Sequence, residues 1–223
     1  MGVVLGAPHT STLGVIAAMN SDQKANIDAS VRALCESLFS AWSYFHLLRG
    51  LNEGGRSNLE VVEQFSWLLD QTWRAVFDGF FANVGTLLDA KKSTYSLPNL
   101  VTLIRRYGDA GLKQLLPEVE ACLSEKDGAI AKIRNWRHQA VAHRTTGPQD
   151  QDFYAANKMT LADLEDASKQ LEEALNHLSW HVLSIHNDTR SGSEGLVDEG
   201  RRLFASISMG LDHRYRSREG SDV

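Results

Sequence analysis

One stretch of the sequence gathers side chains that move protons and hold anions: Lys132, Arg134, Arg137, His138, His143 and Arg144. Between Asp127 and Asp150 there is no carboxylate, although the chain carries 28 acidic against 23 basic residues and a formal net charge of -5. The sequence therefore encodes a local cationic site on an acidic protein, and the molecule as a whole is no general polyanion binder. On a helix, Arg134, Arg137 and His138 stand at i, i+3 and i+4, and Arg144 returns to the face of Arg137 seven residues on. His143 falls about 120° from Arg137 by ideal helix arithmetic, so the two flank one groove without needing to touch. Ala140 and Ala142 beside them let a ligand or a second backbone come close. A histidine of near-neutral pKa moves protons and a guanidinium clamps a phosphate through two hydrogen bonds, a combination suited to phosphodiester cleavage. The same cluster near a helix C-terminus also complements the helix dipole, so residue types alone leave a structural role open.

Other chemistries find little support. The chain has no Gly-rich phosphate loop ending in Lys-Ser or Lys-Thr, no dinucleotide fingerprint, no HExxH and no Gly-x-Ser-x-Gly. Glu173, His177 and His181 recur every four residues and set three metal-ligand types on one helical face, but no further Cys or carboxylate cluster completes a site. We read them as a polar stripe and expect no metal or other cofactor. Residues 213–218 mix Tyr215 with Arg214, Arg216 and Arg218 as single-strand binders do, yet Asp212 and Glu219 dilute the charge and a solvated tail is expected. Cys35 and Cys122 cannot form a disulfide framework or a Cys-rich zinc site; they sit in apolar periodic segments where buried free thiols are common, which points to a reducing cytoplasm.

The elements that must position the cluster are helices. Ile27, Val31, Leu34, Leu38, Trp42, Phe45 and Leu48 step by three or four and predict a first helix from Asp22 that ends near Gly50. Ser57 and Glu60 have capping-box spacing, ahead of a long second helix through Val62, Phe65, Leu69, Trp73, Val76, Phe80 and Leu87. Trp67, Leu68, Phe77, Phe81 and Leu88 widen its apolar face enough to predict a place at the centre of the bundle. Ser96 and Pro98 open a shorter helix stopped by Gly108, and Pro117 starts another that runs, whole or jointed near Gly128, past His143 to Gly147-Pro148. Thr160 and Asp163 then cap a last core helix through Leu164, Leu171, Leu175, Leu178, Val182 and Ile185. Trp42, Trp67, Trp73 and Trp180 all fall on core stripes.

No stretch alternates with period two, so the predicted fold is all-α, an up-and-down bundle of four to five helices with a C-terminal extension. Residues 1–20 form a poorly specified leader, 21–190 the bundle, and 191–223 a partly flexible extension in which 196–207 has one amphipathic helical pattern. The leader has no Lys or Arg before Lys24 and is not expected to be a signal peptide, and no apolar run approaches the roughly 18 residues of a spanning helix. No membrane association is expected.

The run Arg137-His138-Gln139-Ala140-Val141-Ala142-His143-Arg144 resembles the Arg-polar-x4-His motif of HEPN domains, with the Ala-His-Arg ending of their abortive-infection U-type branch. Its surroundings resemble that branch too: Phe81-Ala82-Asn83 through Leu87-Leu88-Asp89-Ala90, then Ser96-Leu97-Pro98-Asn99-Leu100, and Met159-Thr160-Leu161-Ala162-Asp163-Leu164. The resemblance implies a HEPN-like helical bundle, dimerisation, and metal-independent endoribonuclease activity in phage defence or a toxin-antitoxin system, with RNA as substrate and a neutralising antitoxin as a further partner. It implies that Arg137 holds the scissile phosphate and that His143 transfers protons while the RNA 2′-hydroxyl attacks; Arg134, Arg144 and Lys132 of the cationic cluster are the candidate strand-binding residues. His138 stands where the family most often has Asn or Asp, and becomes a second candidate proton carrier. Thr145 stands where HEPN toxins paired with nucleotidyltransferases carry a tyrosine. The alternative implied by the family is a catalytically silent module that binds RNA, a nucleotide or a protein partner.

Overall fold

The computed structural model describes residues 19–91, 94–124, 128–137 and 158–219. Its elements are α1 (Ser21–Ser57), α2 (Leu59–Gln64), α3 (Ser66–Leu88), α4 (Leu97–Tyr107), α5 (Ala110–Ser124), α6 (Ala129–Trp136), α7 (Leu161–Leu183), α8 (Thr189–Ser193) and α9 (Gly195–Glu219). There is no strand among the described residues, and the protein is an all-α bundle as the periodicity predicts. No helix among them is long and apolar enough to cross a membrane.

α1 is the axis of the bundle and packs against α3, α4, α7, α8 and α9. It starts on a capping box made by Asn20 and Gln23, in which each side chain accepts the other's backbone N–H at 2.8 and 3.0 Å. Its stripe from Ile27 to Leu51 is buried, with Trp42 and Phe45 nearly inaccessible. The expected stop at Gly50 does not occur. Gly50 instead marks where α9 crosses: a Cβ there would meet the Val197 carbonyl oxygen at 2.4 Å, and one at Gly200 would stand 2.7 Å from the Gly50 carbonyl carbon. The helix continues through Gly54 and Gly55, which make room for Phe204.

That crossing gives the residues after Ser191 a larger part in the core than their thin apolar pattern suggested. Val197, Phe204 and Leu211, seven residues apart, are buried on α9, while Glu53 of α1 takes hydrogen bonds from Arg49 at 2.9 Å and from Arg201 Nε at 2.7 Å. Residues 213–218, expected as a solvated tail, continue the helix.

Ser57 does not open the second helix; its hydroxyl donates back to the Glu53 carbonyl at 3.1 Å, and the chain breaks at Asn58 and again at Phe65. α3 is not the central helix either. Its buried residues run from Leu69 to Leu88 on one side, whereas Trp67 and Leu68 stand in solvent, 76% and 55% exposed. Trp180 is also exposed, because the core face of α7 is the Leu164, Leu171, Leu175 and Leu178 stripe.

Ser96 caps α4 by accepting from the Asn99 N–H, and Gly108 follows its end. α5 begins at Ala110, before Pro117, behind Asp109, whose carboxylate accepts the Leu112 N–H at 2.8 Å; Pro117 lies inside the helix. Of the two readings, one helix or two joined near Gly128, the second holds, with Gly128 as N-cap of a separate α6. Thr160 and Asp163 form the predicted box at the start of α7, which ends at Ser184 in the left-handed region (φ 55°) rather than at Ile185.

Candidate functional site

α6 carries the described part of the cationic cluster. Ile130 and Ile133 are fully buried, and Trp136 packs near Phe77 and Phe81 of α3 with ring centroids 5.7 and 6.1 Å away. These apolar anchors fix the rotation of a helix too short to be stable alone. Lys132 adds a tether, its Nζ 2.6 Å from Asp163 Oδ1 in the α7 capping box. Burial pushes the Asp163 carboxyl upward, but the Lys132 ammonium and the Thr160 hydrogen bonds outweigh it and hold the pKa below 3.8.

Arg137 is the residue after α6 and keeps helical backbone angles, its N–H donating to the carbonyls of Ile133 and Arg134. Its side chain crosses the C-terminal end of α3. Nη2 donates to Asp89 Oδ2 at 3.3 Å, and the aliphatic and Nε portion lies in the notch at Gly85, where a Cβ would come within 2.6 Å of Nε. Asp89 also accepts the Lys91 N–H at 3.1 Å; that bond first, and the Arg137 guanidinium after it, hold its carboxyl below the usual range. A guanidinium has five N–H donors and this one is 38% exposed, so an anion can still be received with the arginine already oriented.

Arg134 is half-buried one turn earlier and, among the described residues, makes no ion pair. His138, His143 and Arg144 lie outside the described residues. The structure thus brings together Arg137 and Arg134 and commits Lys132 to Asp163.

Two members of this arrangement were not singled out from the sequence for a role, Gly85 and Asp89. They stand at i and i+4 in an otherwise apolar helix end, so a notch and a carboxylate on one face were legible; that Arg137 fills them was not.

The polar stripe on α7 makes separate ties to α5. His177 Nε2 lies 3.7 Å from Glu118 Oε2 and His181 Nε2 3.4 Å from Asp109 Oδ1, the latter ring seated against Gly111. Among the described residues no group of three or more His, Cys, Asp or Glu side chains could hold a metal ion.

The family model described as AbiU2, a HEPN family, matches residues 24–203 of the chain. No curated protein and no solved structure matches it significantly.

Proposed function

This chain belongs to the AbiU2 family of HEPN domains, and from that premise we propose that it is a metal-independent endoribonuclease acting in phage defence or a toxin-antitoxin system. The observation that carries this reading is Arg137, which is oriented by Asp89 and Gly85 and still accessible at the end of a carboxylate-free helix. In the proposed reaction Arg137 holds the non-bridging oxygens of the scissile phosphate. His143 removes the proton from the 2′-hydroxyl, the 2′-oxygen bonds to phosphorus, and the 5′-oxygen leaves with a proton from a second imidazole. The products are a cyclic 2′,3′-phosphate and a 5′-hydroxyl.

The second imidazole comes from the partner protomer of a homodimer or from His138. The protein works in the cytoplasm, and a neutralising antitoxin is its further partner. Incubation of the purified protein with total RNA in EDTA, followed by mapping of the cut ends, tests the activity. Cleavage with cyclic-phosphate ends is expected; activity abolished by chelation and restored by a divalent ion would sink the mechanism. His138, in place of the usual Asn or Asp, favours the second reading, a silent RNA-binding module, which predicts RNA retention without new ends.

A further inference from the structure

Beside the candidate site lies a groove of about 540 Å³ between α4 and the first turns of α1. Asn26 and Ser30 form one wall; Tyr95, Asn99, Arg106 and Tyr107 form the other, and no carboxylate lines it. Tyr95 is 52% exposed at the groove. The Arg106 guanidinium carbon sits 5.0 Å from the centroid of the Tyr107 ring. Arg105 is paired with Glu120, but Arg106 has no carboxylate partner among the described residues. On α4, Asn99, Thr102 and Arg106 follow one another along one helical face, so the groove has a direction as well as a composition.

This groove is wired to Arg137. Arg137 donates to Asp89 Oδ2 at 3.3 Å, Asp89 Oδ1 accepts the Lys91 N–H at 3.1 Å, and the Lys91 carbonyl accepts from the Asn99 amide at 2.6 Å. The same Asn99 amide donates to the Thr94 carbonyl at 2.8 Å, which fixes the backbone just before Tyr95. The larger cleft, of about 700 Å³ beside α7, is chemically opposite: Glu172, Glu173 and Asp188 line it, and its Lys169 and Arg190 are both paired with Glu165. It would repel a phosphate.

We propose that the α1–α4 groove binds single-stranded RNA next to the scissile phosphate, with an unstacked base on Tyr95 and a flanking phosphate on Arg106. Stacking on an exposed tyrosine requires a base already free of its duplex neighbours, which selects single strands over helices. Neutral amide and hydroxyl groups around the ring accept any base edge, so the groove supplies affinity and strand selection rather than sequence readout. The identity of the strand rests on the endoribonuclease reading, and the test separates the two.

A fluorescein-labelled 2′-O-methyl oligonucleotide has no free 2′-hydroxyl and cannot be cut by the proposed reaction, so its binding is read without cleavage and the groove's share is what substitution of Tyr95 and Arg106 removes. Its affinity is expected to fall about tenfold or more in the Tyr95→Ala/Arg106→Ala variant, to persist in Tyr95→Phe, and to be weaker for a duplex of the same sequence. Arg106→Ala alone should flatten the dependence of log affinity on log salt by about 0.7. Unchanged affinity in the double variant, equal binding of duplex and single strand, or no binding by the wild-type protein overturns the groove. A wild-type protein that binds this probe through Tyr95 and Arg106 yet leaves unmodified RNA intact removes the nuclease reading and keeps the groove. Both substitutions are at side chains that make no hydrogen bond among those described, so a melting curve matching wild type is expected alongside.

Discussion

The side chain of Arg137 lies across Gly85 so closely that a Cβ at that glycine would stand 2.6 Å from Nε and 2.8 Å from Cδ. Gly85 is buried inside α3, where alanine is the better helix former by roughly 1 kcal/mol. Gly85→Ala is therefore expected to leave the helix intact while pushing the guanidinium off Asp89. Cleavage should drop by about 10- to 100-fold, since a displacement on the order of 1 Å in a catalytic group has that effect. Single-turnover cleavage together with a thermal melt checks it. A wild-type rate in Gly85→Ala would mean that the placement of Arg137 over α3 has no catalytic consequence.

His46 is buried against Trp42, with Nδ1 2.9 Å from Ser193 Oγ. The Ser193 hydroxyl reaches the carbonyls of Thr189 and Arg190 at 3.0 and 3.1 Å, so its single proton is used there and Nδ1–H donates to it. Burial, helped by Arg190 and Arg49 and opposed by Glu194, pushes the His46 pKa below 6.5. The sign follows: above 6.5 the ring is neutral folded or unfolded, and below it the unfolded chain takes up a proton that the folded one refuses. Stability should be full above pH 6.5 and fall as pH drops through the depressed folded value. Melts from about pH 8 to about pH 5 should show this loss, and His46→Gln should remove that portion of it.

How far the sequence announced these features depended on range. The Thr160–Asp163 box was legible because every bond in it spans three residues. Ser57 and Glu60 have the same spacing and form no box, since α1 runs on through Gly50, Gly54 and Gly55, and what keeps those glycines helical is α9, about 150 residues away. Trp67 and Trp180 follow core periodicity and are exposed, because periodicity reports a face and not whether anything covers it. Arg137 was singled out by residue type and motif; its partner Asp89 lies 48 residues away, beyond any local pattern.

Cys35 provides a chemical test of the α1 environment. Burial pushes its thiol up to about 11, against the hydrogen bond from the Asn187 amide at 3.0 Å. At neutral pH almost none is thiolate, the reactive form. Iodoacetamide at pH 7.5 should leave the Cys35 peptide largely unmodified in the native protein and label it quickly in denaturant, as read by mass spectrometry. Rapid native labelling would contradict the raised pKa of this half-buried thiol.

Gly200 and Gly210 both lie in α9 and should respond to alanine with opposite signs. A Cβ on Gly200 would stand 2.7 to 2.9 Å from backbone atoms of Gly50 and Leu51, which cannot move aside, whereas a Cβ on Gly210 meets nothing within 4 Å. Gly200→Ala is expected to cost about 1 to 3 kcal/mol from overpacking, more than its helix-propensity gain. Gly210→Ala should gain about 0.5 to 1 kcal/mol. Urea unfolding of both variants measures the pair, and equal shifts would deny the close crossing of α1 and α9.

The proposed dimer makes its own prediction about the reaction. One copy of the motif offers Arg137 and one well-framed histidine, His143, whereas attack and departure benefit from both a base and an acid. If the second imidazole is the other protomer's His143, one chain that lacks it disables both sites of a dimer. His143→Ala protein should be inactive alone, with a loss of roughly 100- to 10,000-fold, and, mixed in excess with wild type under conditions that exchange subunits, should suppress cleavage well below the share of wild-type chains. His138→Ala in the otherwise intact protein completes the test. It should leave the rate near wild type if the acid is the partner's histidine, and lower it by a similar factor if His138 is the second proton carrier. A mixture whose cleavage simply tracks the share of wild-type chains despite verified subunit exchange, or a strictly monomeric protein that cleaves at full rate, would place base and acid within one chain and leave dimerisation without a catalytic part.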